Sequence, residues 1–155
     1  MHKTRYWIGV ASKEHVLIGA KGGFAQFSHG KLGPAKRLSK GDWVIFYSSR
    51  ERFGEPKMGQ QFTAIGQVID AEPTQVAQFP GFKPYRRQVK YRKSKAVDIR
   101  PLIDTLSFIK DKSRWGSAFR FGFLEIPGAD FAKIATKMLP NSDVKSTATR
   151  PGAAM

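Results

Sequence analysis

The chain of 155 residues contains no cysteine. That removes disulfides, thiolate metal sites and cysteine nucleophiles, and with them the zinc base deaminases, whose ligand sets need cysteine. It fits a reducing compartment. Histidine is scarce too: His2, His15 and His29 are all there is, and their spacing matches no metal-ligand motif. No apolar run is long enough to span a membrane. The start, Met1-His2-Lys3-Thr4-Arg5, lacks the hydrophobic region of a signal peptide, so the expected location is cytoplasmic. Acids are the other shortage. Asp plus Glu number 12 against 27 Lys plus Arg, a net charge of +15. A folded domain this basic repels itself and attracts polyanions, nucleic acid above all.

The acids that exist are scattered. Glu14, Asp42, Glu72, Asp98 and Glu125 form no paired-carboxylate pattern for acid–base work. No GxxxxGK[ST] loop cradles a phosphate. The expectation is a binding protein, not an enzyme, with no cofactor and no metal.

Apolar residues make up 41% of the chain and aromatics 12%, enough for one core of a single domain. Residues 5–10 read as a first strand, 24–27 as a short second one, and 43–48 as the most buried strand. Residues 61–69 and 85–92 alternate, and 119–126 make a last strand. Ser12 is placed to cap a helix over 13–20 that Gly22-Gly23 stops. Residues 99–106 suggest a short helix. Pro127 opens another, along which Phe131, Ile134, Ala135 and Met138 recur at helical spacing. Residues 49–60 and 71–84 read as loops, and 110–116 as a basic loop. Residues 140–155, small and polar, read as a disordered tail. The sum is an α+β domain over 1–139, a small mixed β-barrel of five to six strands with two to three peripheral helices.

Seven ordered stretches resemble the EVE domain: Arg5-Tyr-Trp-Ile-Gly-Val-Ala-Ser12, Gly22-Gly-Phe-Ala-Gln-Phe-Ser-His-Gly-Lys31, Lys40-Gly-Asp-Trp-Val-Ile-Phe-Tyr-Ser48, Phe62-Thr-Ala-Ile-Gly-Gln-Val68, Pro84-Tyr-Arg-Arg-Gln-Val-Lys-Tyr91, Ile99-Arg-Pro-Leu102 and Trp115-Gly116. Each is weak alone; their order over roughly residues 3–139 is specific. The resemblance is to the short bacterial branch. It implies a PUA-like fold related to YTH and ASCH domains. YTH domains hold N6-methyladenine in an aromatic cage, EVE relatives are implicated in reading modified DNA bases, and ASCH relatives include ribonucleases and hydrolases. The function implied is to hold one flipped base of methylated or hydroxymethylated type. A general RNA-binding role on tRNA or rRNA is the alternative.

Such a binder needs a flat apolar wall, groups matching a base edge, and cations for phosphates. Trp7 is the first wall candidate, though a strand tryptophan is equally a core residue. In the resemblance the segment from Trp7 to Ser12 lines the pocket; Ser12 is either a helix cap or a base-edge partner. Phe27, Ser28 and His29 stand where YTH domains carry a cage tryptophan. Tyr47 and Ser48 end a strand whose matching position contacts the ligand. Phe79 and Phe82 suggest a lid or stacking loop, and Trp115 and Arg120 a far wall. Lys83, Arg86, Arg87, Lys90, Arg92, Lys93 and Lys95 run without an intervening acid. With Lys31, Lys110, Lys112 and Arg114 they form a candidate phosphate track.

Overall fold

The computed structural model describes residues 3–52, 54 and 59–140, so the segment read as a tail, past Pro140, lies outside the described residues. The chain forms β1 (Tyr6–Val10), α1 (Lys13–Gly22), β2 (Phe24–Ala25), α2 (Leu32–Arg37), β3 (Trp43–Ser48), β4 (Gln61–Val68), β5 (Thr74–Gln75), β6 (Tyr85–Tyr91) and β7 (Val97–Asp98). Two 3-10 segments follow, Arg100–Thr105 and Lys112–Phe119, then β8 (Phe123–Ile126) and α3 (Gly128–Met138).

The strands form one sheet of eight in the order β2-β6-β4-β3-β1-β8, with β5 paired to β6 and β7 to β4. Only β1 and β3 run parallel. The sheet is α+β and mixed, as expected, but it does not close, and eight strands replace the five to six of the expected barrel. The two ends, β2 and β8, approach through side chains: the Phe27 and Phe123 rings lie 5.0 Å apart.

The central strands are buried on both faces. Alternation along β1 sends Ile8 into one apolar cluster with Ile45, Tyr47, Phe62, Ile65 and Phe131. It sends Trp7 into the other, with Phe27, Val44, Phe46, Val89 and Phe123. Both 3-10 segments and α3 contribute to the first cluster. A bulge opposite Phe46/Tyr47 shifts the β3–β4 register, so Phe62 and Ala64 serve different clusters although two residues apart. Gly9 is required here: a Cβ at this position would meet Phe46 at 2.6 Å and Phe27 at 3.0 Å.

Two buried charges tie the turns to the sheet. Asp42, fully buried, accepts from the Trp7 indole N–H (2.9 Å) and from the backbone N–H groups of Arg5 (3.0 Å) and Ser39 (2.9 Å). Arg87, read as a phosphate ligand, is fully buried on β6. Its Nε donates to Asp70 Oδ1 at 2.8 Å and its Nη2 to the Asp70 carbonyl at 2.8 Å. Nη1 donates to the carbonyls of Ala35 (2.9 Å) and Leu38, the end of α2. The strand period explains this correction: Arg87 shares its face with Val89 and Tyr91, not with Arg86 and Lys90. Arg87→Ala should therefore lower the unfolding free energy by roughly 3–5 kcal/mol, since it strands the Asp70 carboxylate and two helix-end carbonyls. Arg86→Ala, which removes only a guanidinium lying 3.7 Å from the Phe24 ring centroid, should cost about 1 kcal/mol or less. Urea denaturation of the two variants checks the contrast.

Candidate nucleic-acid interface

Trp7 and Tyr47 do not share a pocket. Trp7 is fully buried, stacked on Phe123 at 4.9 Å with 4° between planes, its indole N–H occupied by Asp42. Tyr47 points to the opposite face and stacks on Phe119 at 4.2 Å, with Trp115 edge-on at 6.5 Å. Phe27 is core as well, stacked on Phe46 at 5.6 Å. Ser48 is buried, and its hydroxyl is bonded to that of Thr63 at 2.8 Å. Both faces of β1 and β3 carry core, so Trp7 and Phe27 pack on one side of the sheet and Tyr47 on the other.

Burial also pushes the Tyr47 hydroxyl from its ordinary 10.0 up to about 12, with Asp98 raising it further against the lowering effect of Arg100.

What remains accessible gathers at one end of the sheet, where β1 and β3 terminate. Ser12, half-buried, caps α1: its hydroxyl accepts from the His15 N–H at 3.3 Å. The amides of Lys13 and Glu14 are taken by the carbonyls of Arg50 and Glu51 at 2.8 and 2.7 Å. Beside this, the Val10 N–H donates to the Gly122 carbonyl (2.9 Å). A Cβ at Gly122 would lie 3.5 Å from Ser28 Oγ, so the 120–122 turn abuts the Ser28–His29 turn. That turn in turn abuts the start of β6, through Tyr85 N–H to the Gly30 carbonyl (2.8 Å).

The Ser28–His29 turn is strained. Ser28 (φ 50°) and His29 (φ 62°) both occupy the left-handed region, and Gly30 follows at φ 83°. Consecutive non-glycine residues there are uncommon and cost energy the rest of the fold must offset. Gly30 cannot be replaced, because a Cβ would meet that of Pro84 at 2.3 Å. The outcome is an exposed His29 held on a strained turn.

Phe121 completes the rim. It is 76% exposed, with the Arg120 guanidinium 4.6 Å from its ring centroid. Its aromatic run predicts a strand over 119–126; β8 starts only at Phe123, and residues 120–122 turn outward. Arg120 thus stays with the site but offers a cation–aromatic pair, whereas Trp115 packs half-buried against the Tyr47 face.

The cations divide. Lys83, Lys90, Lys93 and Lys95 are exposed, and Arg86 and Arg92 are half-buried with their guanidiniums over Phe24 and Trp43 (3.7 and 5.9 Å). Lys31 is exposed just past the Ser28–His29 turn. Lys112 sits elsewhere: its Nζ donates to the carbonyls of Ile103 (3.1 Å) and Leu106 (2.7 Å), closing the first 3-10 segment. Lys110 and Arg114 are exposed in the layer formed by the second 3-10 segment and the residues before it, whose Phe119 and Trp115 pack with Tyr47, and not on β6. A shallow cavity of about 460 Å³ lies near residues 3–6 and 125–128, where β1 begins, away from the rim. Among the described residues no cluster of His, Asp or Glu could hold a metal, and no helix is long and apolar enough to cross a membrane.

The EVE domain pattern matches residues 5–137, and the chain belongs to the EVE domain family. Within it, the chain is 43% identical over 142 residues to a UPF0310 protein of Mycolicibacterium vanbaalenii, covering 91% of this chain and 98% of that one. It is 42% identical over 137 residues to the UPF0310 protein YdcG of Bacillus subtilis, covering 87% and 92%. Among solved structures it superposes on the Mmi1 YTH domain with a TM-score of 0.59 at 14% identity, covering 87% of this chain and 88% of that one. A Mmi1 YTH domain solved with RNA gives 0.56 at 12% identity, covering 87% and 81%. The shared fold is the YTH-like one.

The interior placement of Tyr47 has a direct readout. In a spectrophotometric titration, Tyr47→Phe should remove an ionisation near pH 12 and none near pH 10. The sign follows: a raised pKa means the fold holds the neutral phenol, so this contribution is complete below pH 10 and is lost as pH climbs towards 12. Wild-type stability should therefore fall over that window more than that of Tyr47→Phe. Loss of a step near pH 10 instead would put Tyr47 in a wet pocket.

Proposed function

We propose that this chain is a non-catalytic nucleic-acid-binding module. It holds one flipped, methylated or hydroxymethylated base at the rim where β1 and β3 end, with the phosphates along the outer face of β6. The observation that carries the proposal is continuity: the densest basic run of the chain, Lys83 to Lys95 with no acid in it, starts beside the strained Ser28–His29 turn and leads away along β6. A YTH-like fold, in one relative solved with RNA, supports the same reading.

The division of labour is physical. Phe121 offers an exposed aromatic face, and a base stacked on such a face gains about 1–3 kcal/mol. His29 and Ser28 stand together on the strained turn, where an imidazole and a hydroxyl would face a base edge. Lys31, Lys83, Arg86, Lys90 and Lys93 neutralise phosphates and release counterions, which makes affinity fall steeply with salt. Removing a base from a duplex costs a few kcal/mol, so one stacking surface roughly offsets one flip and the phosphate contacts supply much of the rest. The residues of the interior, Trp7, Phe27 and Tyr47, act by holding the rim rigid.

The test is a titration of matched DNA and RNA oligonucleotides, with and without one methylated or hydroxymethylated base, at several salt concentrations. Arg86→Glu with Lys90→Glu should lower the salt slope by about two while leaving the preference for the modified base intact. Phe121→Ala with His29→Ala should do the reverse. Uniform loss of affinity in both double variants contradicts the division into rim and track. A steep slope with no preference for any modification points to a general RNA binder of tRNA or rRNA, and turnover of the oligonucleotide points to an enzyme.

A further inference from the structure

The residues 74–86 form a ladder that ends in a narrow aromatic tip. β5 pairs Thr74 with Arg86 and Gln75 with Tyr85. The pairing continues through Val76 N–H to Pro84 carbonyl (3.0 Å) and Gln78 N–H to Phe82 carbonyl (3.0 Å), and a bridge joins Phe79 to Phe82. Between them lie only Pro80 and Gly81. Gly81 has φ 85° in open space, so the turn demands glycine for its backbone and not for room. Phe79 is 57% exposed at the tip, backed by the half-buried Phe82 ring at 5.1 Å.

This hairpin is braced. Gln26 Nε2, nearly buried just after β2, donates to Gln78 Oε1 at 3.1 Å, and Gln75 Nε2 donates to the Lys83 carbonyl at 3.1 Å. Pro84, at its base, packs on Gly30 of the strained turn. A stiff, narrow projection with an apolar end and cations behind it, Lys83 and then Arg86, differs from a lid, which would have to fold over and bury its aromatic. Proteins that unstack helical nucleic acid use such an apolar wedge between base steps.

We propose that Phe79 is a wedge: it enters the stack of a duplex beside the rim and fills the place of the extruded base. The inference rests on the base-holding function proposed above and adds its partner, a duplex and not a pre-separated strand.

The experiment uses a short duplex carrying one 5-hydroxymethylcytosine, made in DNA and in RNA, with 2-aminopurine next to the modified base, and the separated strand as control. Phe79→Ala should bind the duplex roughly tenfold more weakly or worse, as the wedge no longer helps meet the unstacking cost. It should bind the single strand as wild type does, and should lose the rise in 2-aminopurine fluorescence that wild type gives on binding. Phe79→Leu should retain most of the duplex affinity, because a wedge needs apolar bulk whereas a stacking platform needs a ring. Equal losses on duplex and single strand, without rescue by leucine, would make Phe79 a stacking platform and overturn the wedge; so would an alanine variant indistinguishable from wild type. Wild type that binds single strand and refuses both duplexes overturns the wedge alone, and wild type that binds neither form overturns the underlying function too.

Discussion

Burial of the central strands on both faces is the constraint from which the rest of the structure follows. β1 and β3 lie side by side with one core above and another below. The side chains of these strands are stacked on one another, Trp7 on Phe123 and Tyr47 on Phe119. The Ser28–His29 turn, residues 120–122 and the outward positions of β6 lie outside both cores. The two cores make those places rigid, and rigidity is what permits Ser28 and His29 to persist in left-handed backbone.

The buried charges serve the same end. A chain of net charge +15 repels itself, yet two of its twelve acids, Asp42 and Asp130, are nearly fully buried. Asp42 joins the entry of β1 to the turn before β3. Asp130 accepts from the Ser107 N–H (3.1 Å) and hydroxyl (2.8 Å) and from the Phe108 N–H (2.9 Å), fastening α3 to the loop between the 3-10 segments. Asp70 is engaged by Arg87 and by the Gln88 N–H. With these acids engaged at turns, Lys83, Lys90, Lys93 and Lys95 stand exposed in a stretch that contains no acid, which favours a polyanion there.

The strong local signals were legible in the sequence. β3 has the bounds that its apolar run predicts, and α1 begins at its serine cap. β5 and β7, two residues each, carry no pattern to read. α2 was invisible because Leu32–Arg37 contains glycine and proline and has no side-chain cap; it forms because Ala35 is buried and Arg87 takes its terminal carbonyls. That same arginine was counted as a ligand although strand alternation had set it beside Val89. Trp7 and Tyr47 were grouped as pocket walls because a run apolar at every position does not say which core each residue serves. Phe121 escaped notice inside an aromatic run whose first part turns out of the sheet. The basic run, the His29 turn and the aromatic hairpin were legible as candidates, since glycine and charge mark surface positions more surely than aromatics do.

Backbone amide shifts, followed by NMR on titration with an oligonucleotide bearing a modified base, locate the surface that nucleic acid occupies. Changes should concentrate at residues 28–31, 120–122 and along the outward positions of β6, with those around the cavity at residues 3–6 and 125–128 silent. Changes centred on that cavity, or on the layer containing Lys110 and Arg114, would contradict it.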